Sequence, residues 1–264
     1  MAEMRIHSTS IKGRRENNED RENIELNING NNPDLGNINL FGLYDGHAGT
    51  FVSNYLKNNI PYYYLNPRLS YPLTLSNHTK IFENIQKNLL NYEEGYECGS
   101  TCLLSLMYKH KNSYYMNLVN LGDCRCVVVY ENGSNKQITT DHKPDETNER
   151  RRLNKMGGDV YRDSEGTFRI GNLSLSRAFG DGDTSPYISQ IPDCFYFRIT
   201  EQTKYVVLGC DGLWDVIDNS EISSLIYKCK KIGIDNIAVF LAQTALEKGS
   251  TDNVSVIVLE FVSQ

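Results

Sequence analysis

The chain has 264 residues, enough for one large domain, and its 39% hydrophobic and 23% charged residues form a globular rather than a disordered balance. A net charge of -6 supplies no basic field for nucleic acid. No apolar run approaches the ~20 residues that span a bilayer, which argues against a membrane protein.

The opening Met1-Ala2-Glu3-Met4-Arg5 lacks the apolar core of a secretory signal. A polar segment over residues 12–18 leads to Glu19-Asp20 and then to a predicted strand. Residues 27–39, rich in Asn and Gly, predict a loop between two strands. The apolar run Ile38-Asn39-Leu40-Phe41-Gly42 predicts the next strand and ends in Leu43-Tyr44-Asp45-Gly46-His47-Ala48-Gly49. Phe51, Val52, Tyr55 and Leu56 give residues 48–59 a helical period, and Ile81, Ile85, Leu89 and Leu90 mark a second helix.

Residues 101–108, 114–121 and 124–130 are short apolar runs separated by Lys-Asn-Ser and Gly-Asp, which predicts antiparallel strands joined by tight turns. Residues 145–156 predict a helix, with acids early, arginines late and Gly157-Gly158 as its stop. Arg150-Arg151-Arg152 is read as the end of that helix rather than as a binding patch. Residues 205–209 and 254–261 are continuously apolar, so both faces should be buried. Residues 221–230 and 234–248 between them predict two amphipathic helices. Strands in groups and helices in pairs predict an α+β fold of two stacked sheets with helices outside. Without repeats or a linker, residues 1–264 form a single domain. The seven cysteines, an odd number lying mostly in apolar segments, predict buried, reduced thiols in a cytosol-like compartment.

Acids recur at the ends of predicted strands, two of them with one grammar. Asp45-Gly46 and Asp211-Gly212 each follow an apolar strand, Asp252 precedes the last one, and Glu19-Asp20 leads into another. Acids converging at one rim of a sandwich repel one another unless cations neutralise them. Carboxylates and carbonyls suit hard ions such as Mg2+ or Mn2+. In that case Gly46 lets the chain bend sharply and turns its carbonyl to the metal. Asp-Gly after a strand is also an ordinary turn signal, and spacing alone leaves both readings open.

Further along, "RRENNED" (14–20), "LYDGHAG" (43–49), "GST" (99–101), "LGDCR" (121–125), "DHKP" (141–144), "LSLSRAFGD" (173–181), "CDGLWDV" (210–216) and "GSTDNVSVIVL" (249–259) occur in one order. Together they resemble the PP2C, or PPM, family of metal-dependent serine/threonine protein phosphatases, over about residues 8–261. The resemblance implies a four-layer αββα sandwich, two mostly antiparallel sheets flanked by helix pairs. It implies two Mg2+ or Mn2+ ions and a weaker third. Asp45 would bridge the pair, the Gly46 carbonyl would bind one ion, and Asp211 and Asp252 would complete the other's shell. Glu19 and Asp20 would act through bound water, and Asp123 and Asp215 match positions linked to the third ion.

Arg15 matches the phosphate-binding arginine, and His47 is the candidate acid for the leaving group. The implied reaction is attack of a metal-bridging hydroxide on phosphoserine or phosphothreonine, with no phosphoenzyme. Alternatives stand beside these roles: Arg15 as a solvated charge, His47 as a helix cap. His142 and Arg177 are read as structural and Trp214 as core. Residues 180–192 take the place of a short, mobile flap that influences substrate choice. No regulatory extension is expected after the last strand. Phosphoproteins are the expected partners of a monomer in the cytoplasm or nucleus, not secreted. A catalytically dead relative or a small-molecule phosphohydrolase are the competing readings.

Overall fold

The computed structural model describes residues 3–28, 38–65, 69, 71–111 and 113–262. The first part of the chain forms β1 (Glu3–Ile11), β2 (Arg21–Glu25), β3 (Asn39–Tyr44), β4 (Gly46–His47), α1 (Phe51–Tyr64), α2 (Leu75–Leu89) and α3 (Glu94–Glu97). There follow β5 (Gly99–Ser100), β6 (Cys102–His110), β7 (Ser113–Leu121), β8 (Arg125–Tyr130), β9 (Asn135–Gln137) and α4 (Thr147–Lys155). The last part holds β10 (Val160–Arg162), β11 (Phe168–Ile170), β12 (Phe179–Gly180), β13 (Asp193–Ile199) and β14 (Thr203–Gly209). It closes with α5 (Asp211–Trp214), α6 (Asn219–Lys231), α7 (Ile237–Glu247) and β15 (Val254–Val262). The loop predicted over 27–39 falls for the most part outside the described residues.

Two five-stranded sheets, β1-β15-β14-β8-β9 and β13-β7-β6-β3-β2, stack face to face. Every pairing within them is antiparallel. Strand alternation divides the apolar side chains among three layers. Phe41, Leu43, Leu103 and Leu118 meet Val128, Val206, Leu208, Ile257 and Leu259 between the sheets. Leu40, Leu104 and Leu106 turn outward onto Leu56 and Ile60 of α1 and Phe82 and Ile85 of α2. On the opposite outer face Val127, Val207, Val256 and Val258 pack under Ile222 of α6 and Leu241 of α7. Full burial of each such side chain contributes about 1.5–3 kcal/mol, and the double-sided use of β14 and β15 explains their unbroken apolar sequence. The result is the predicted αββα sandwich.

Two local expectations are corrected. Residues 102–110 and 113–121 do form a hairpin. The next run does not continue it, because β8 pairs with β14 and β9 in the other sheet. The turn at Gly122-Asp123, with Gly122 at φ 115°, therefore carries the chain across the sandwich. Apolar alternation cannot say which sheet a strand joins, and here it concealed the crossing. The polar strand β1 was also not anticipated; it is an edge strand that aligns with β15 over its whole length.

Beside the sandwich, α4 and the β10–β11 hairpin enclose a small core of Leu153, Ile170, Leu175, Ala178 and Ile188. Its polar centre is Glu149, 1% exposed, which accepts hydrogen bonds from Arg177 Nη2 at 2.6 Å, Ser176 Oγ at 2.7 Å and Arg152 Nη2 at 2.9 Å. Arg177 also donates to Asp193 at 2.9 Å and to the Ile191 carbonyl at 2.8 Å, in keeping with the anchoring role read from the sequence.

Burial alone would raise the Glu149 pKa, but the bonds from Arg177, Ser176 and Arg152 win and hold it at about 2, against an ordinary 4.5. A depressed carboxylate pKa stabilises the fold fully above 4.5, and the contribution fades as pH falls toward about 2. Glu149→Gln is expected to cost about 3 kcal/mol at neutral pH and to flatten the acid limb of stability. Urea melts between pH 7 and 2 check this; an unchanged acid limb would contradict it.

Candidate active site

Strand register brings the acids together. Arg21 lies opposite Tyr44, so Asp20 and Asp45 leave the same end of neighbouring strands. Gly209 lies opposite both Arg125 and Val256, which puts Asp211, Asp123 and Asp252 at that same rim. Asp45 is fixed by its own backbone: its N–H donates to Thr101 Oγ1 at 3.0 Å, and its carbonyl accepts from the Thr101 N–H at 2.9 Å.

The glycines beside these acids serve close approach. A Cβ on Gly46 would lie 2.5 Å from the Glu19 carbonyl oxygen, and one on Gly212 would lie 2.0 Å from that of Asn253. Gly46 therefore does not supply the sharp bend expected of it; positive φ falls instead at Ala48 (57°) and Gly49 (140°). Asn253, 5% exposed, ties the arrangement together. Its Oδ1 accepts from the Glu19 N–H at 2.8 Å, and its Nδ2 donates to the carbonyls of Lys12 at 2.8 Å and Asn17 at 2.9 Å.

The electrostatics are those of crowded carboxylates. Burial, followed by repulsion from Asp20, Asp211, Asp123 and Asp252, pushes the Asp45 pKa well above its ordinary value. Asp211 is raised by burial and then by Asp123 and Asp215. Burial lifts Asp20 to about 6, and the Asp252 charge adds to this. Both Asp20 carboxylate oxygens and Asp123 Oδ2 are buried without a hydrogen-bond partner. Ligand atoms of Asp20, Asp45 and Cys210 lie within 4.8 Å of one another. Bare buried carboxylates are costly, and a hard divalent ion is the partner that their oxygens fit. Cys210 is a soft atom beside this set, and its Sγ already accepts from the Ser255 N–H at 3.2 Å.

Among the described residues, Arg15, Lys143 and His47 border the acids. Arg15 Nη2 lies 2.6 Å from Asp252 Oδ2, and the rest of its largely exposed side chain faces solvent. Lys143 lies between Asp123 and Asp215. His47 Nε2 is 2.9 Å from both carboxylate oxygens of Asp181. Burial would lower the His47 pKa, but the Asp181 hydrogen bond and charge raise it above the ordinary value, helped by Asp123 and Glu19. Gly99 leaves room for the pair, since its Cβ would lie 2.3 Å from Asp181 Oδ2 and 2.4 Å from His47 Nε2.

The structure thus gathers Asp20, Asp45, Asp123, Asp211 and Asp252 at one rim, with Gly46, His47 and Arg15 beside them. Glu19 contributes its backbone to the Gly46 contact, while Asp215 stands at the exposed edge. His142 is remote from this use: its Nδ1 accepts from the Gly122 N–H at 3.0 Å, which positions the turn carrying Asp123. Trp214 is buried and donates to the Gly209 carbonyl. Sequence reasoning missed Asp181 and Asn253 as individuals, although both lie inside quoted motifs; a search for a carboxylate partner of His47 would have reached Asp181.

An antiparallel double sheet with acids gathered at one rim defines a fold already seen in solved phosphatases. The serine-threonine phosphatase 2C from Toxoplasma gondii superposes with a TM-score of 0.81 at 23% identity, over 98% of this chain and 94% of that one. The Protein phosphatase 2C family model matches residues 4–254, and the chain belongs to that family. It is 31% identical over 234 residues to Probable protein phosphatase 2C 28 of Arabidopsis thaliana, covering 86% of this chain and 65% of the relative. Probable protein phosphatase 2C 44 of Oryza sativa subsp. japonica is 33% identical over 232 residues, 85% of this chain and 68% of the relative. The chain therefore spans about two thirds of the length of these plant relatives. No helix among the described residues is long and apolar enough to cross a membrane.

A carboxylate whose pKa is raised by folding stabilises fully below its unfolded pKa and loses that contribution as pH rises through the folded value. The metal-free protein should therefore lose stability as pH climbs past the 3.8 of a free aspartate and through the about 6 of Asp20. Asp45→Asn should raise the metal-free melting temperature at pH 7 and abolish the rise that Mn2+ produces in wild type. Calorimetric scans with chelator and with Mn2+ decide; a less stable metal-free variant would contradict the repulsion described above.

Proposed function

We propose that this chain is a protein phosphatase that hydrolyses phosphoserine and phosphothreonine in proteins with two bound Mg2+ or Mn2+ ions. The observation that carries the reading is the crowding of carboxylates, the buried Asp20 without a hydrogen-bond partner and the half-buried Asp45 above all, with an exposed guanidinium at its border. Asp45 would serve both ions, the Gly46 carbonyl one of them, and Asp211 and Asp252 the other. Glu19 and Asp20 would hold the water around the first ion, and Asp123 and Asp215 suit a weaker third. When bound, the ions would supply Lewis acidity and bring the pKa of a water they hold toward neutrality.

The chain's own residues do the rest. Arg15 presents a planar fork whose exposed edge is free to take two phosphate oxygens, while its bond to Asp252 fixes its height over the acids. His47 gives a proton to the departing serine or threonine oxygen. Asp181 holds Nε2 and favours the charged ring, which leaves Nδ1 as the nitrogen that donates. The phosphoryl group passes to water directly, so no nucleophilic side chain is required. The seven cysteines, free and mostly buried, suit a reducing compartment such as cytoplasm or nucleus, and the chain would act there as a monomer. Substrate choice would be influenced by residues 180–192, whose first members, Gly180 and Asp181, are pinned to Gln86 and His47.

The decisive assay compares phosphopeptides with small phosphate esters, each with Mn2+ and with chelator. Faster, Mn2+-dependent release from phosphopeptides is expected; a marked preference for small esters would make this a small-molecule phosphohydrolase, and activity on neither a binding scaffold. His47→Ala should lower kcat about 100-fold on alkyl phosphates and much less on aryl phosphates, whose leaving groups need no proton. Equal losses on the two would remove His47 from that role.

A further inference from the structure

The Lys143 ammonium, four residues before α4 begins at Thr147, reaches back to the acidic rim. It lies 3.7 Å from Asp123 Oδ2 and 3.5 Å from Asp215 Oδ1. Asp123 is 2% exposed and its Oδ2 accepts no hydrogen bond, so the lysine charge is what compensates an otherwise bare buried oxygen. Asp211 and Asp141 also lie within electrostatic reach of the ammonium, but Asp141 is engaged by Arg125 at 2.6 Å.

Both lysine contacts are longer than the ~2.7–2.9 Å of a close charge-assisted hydrogen bond. The ammonium therefore sits between the two carboxylates without being locked to either. Lys143 and Asp215 reach solvent, with 34% and 60% of their side chains exposed, so the site opens to bulk water. A flexible four-carbon stem allows the ammonium to swing outward and rehydrate.

We propose that Lys143 is a tethered counter-cation that fills the weaker third-ion position already assigned to Asp123 and Asp215. An additional ion enters that position only when the lysine is displaced or removed. The proposal rests on the metal-centre reading above and adds to it a built-in competitor. At low divalent concentration the lysine keeps the acidic wall neutralised; at high concentration the ion expels it. The chain would respond to its metal in two stages, the second governed by this one side chain.

Equilibrium dialysis against Mn2+ tests this directly. Lys143→Met, which keeps length and loses charge, should bind one more Mn2+ per chain than wild type at the same free concentration. Lys143→Arg should keep the wild-type count. Adding Asp215→Asn to Lys143→Met should remove the extra ion. Lys143→Gln gives an independent readout, since its melting temperature should rise more with Mn2+ than that of wild type. Equal Mn2+ counts in wild type and Lys143→Met, or equal Mn2+-induced rises in wild type and Lys143→Gln, would overturn the proposal while leaving the metal centre standing. Wild type that binds no Mn2+ would instead sink the metal-centre reading and this proposal with it.

Discussion

Mutual repulsion of carboxylates held in a poorly solvated rim is the constraint on which the structure depends. Left to themselves, Asp20, Asp45, Asp123, Asp211 and Asp252 would separate into water. They are prevented from doing so by the strands that carry them. Each strand end is fixed by register to its neighbour, and the strands are held by apolar layers on both sides of each sheet. The hydrophobic layers thus maintain a charge arrangement that is unfavourable by itself. Such a local conflict is the mark of a functional site rather than of a defect in the fold.

Backbone contacts set the spacing. Gly46 admits the Glu19 carbonyl and Gly212 admits that of Asn253, so two loops close onto the strand ends at distances that a methyl group would forbid. Asn253 then joins the segment around Lys12–Glu19 to the start of β15. Arg15 belongs to that same segment and is bonded to Asp252, so the proposed phosphate contact and the proposed cation site would share one mechanical unit. His47 and Asp181 form a second unit beside it, fitted against Gly99. In each case a glycine marks a place where two chain segments meet.

Most of the architecture was legible in the sequence because its signals are local. Apolar alternation and continuous apolar runs located the central strands, and charge placement located α4 and its end. What was not legible depends on pairing. The switch of sheets at Gly122-Asp123 leaves no local trace, and β1 is too polar to stand out although it aligns with β15 throughout. At the site, the acids were readable from their repeated position at strand ends. The raised pKa of His47 was not, because it derives from Asp181, 134 residues away in sequence. Lys143 was visible only as part of a motif; its place between Asp123 and Asp215 is a product of the fold. Gly46 shows the converse case, a glycine read as a bend that serves a close approach, since the two look alike in sequence.

Anomalous diffraction from a crystal of the protein soaked in Mn2+ would test the central claim most directly. The account predicts two neighbouring peaks at the rim, with Asp45 touching both, the Gly46 carbonyl beside one, and Asp211 and Asp252 beside the other. Peaks placed away from Asp45, or an empty rim at saturating Mn2+, would contradict it.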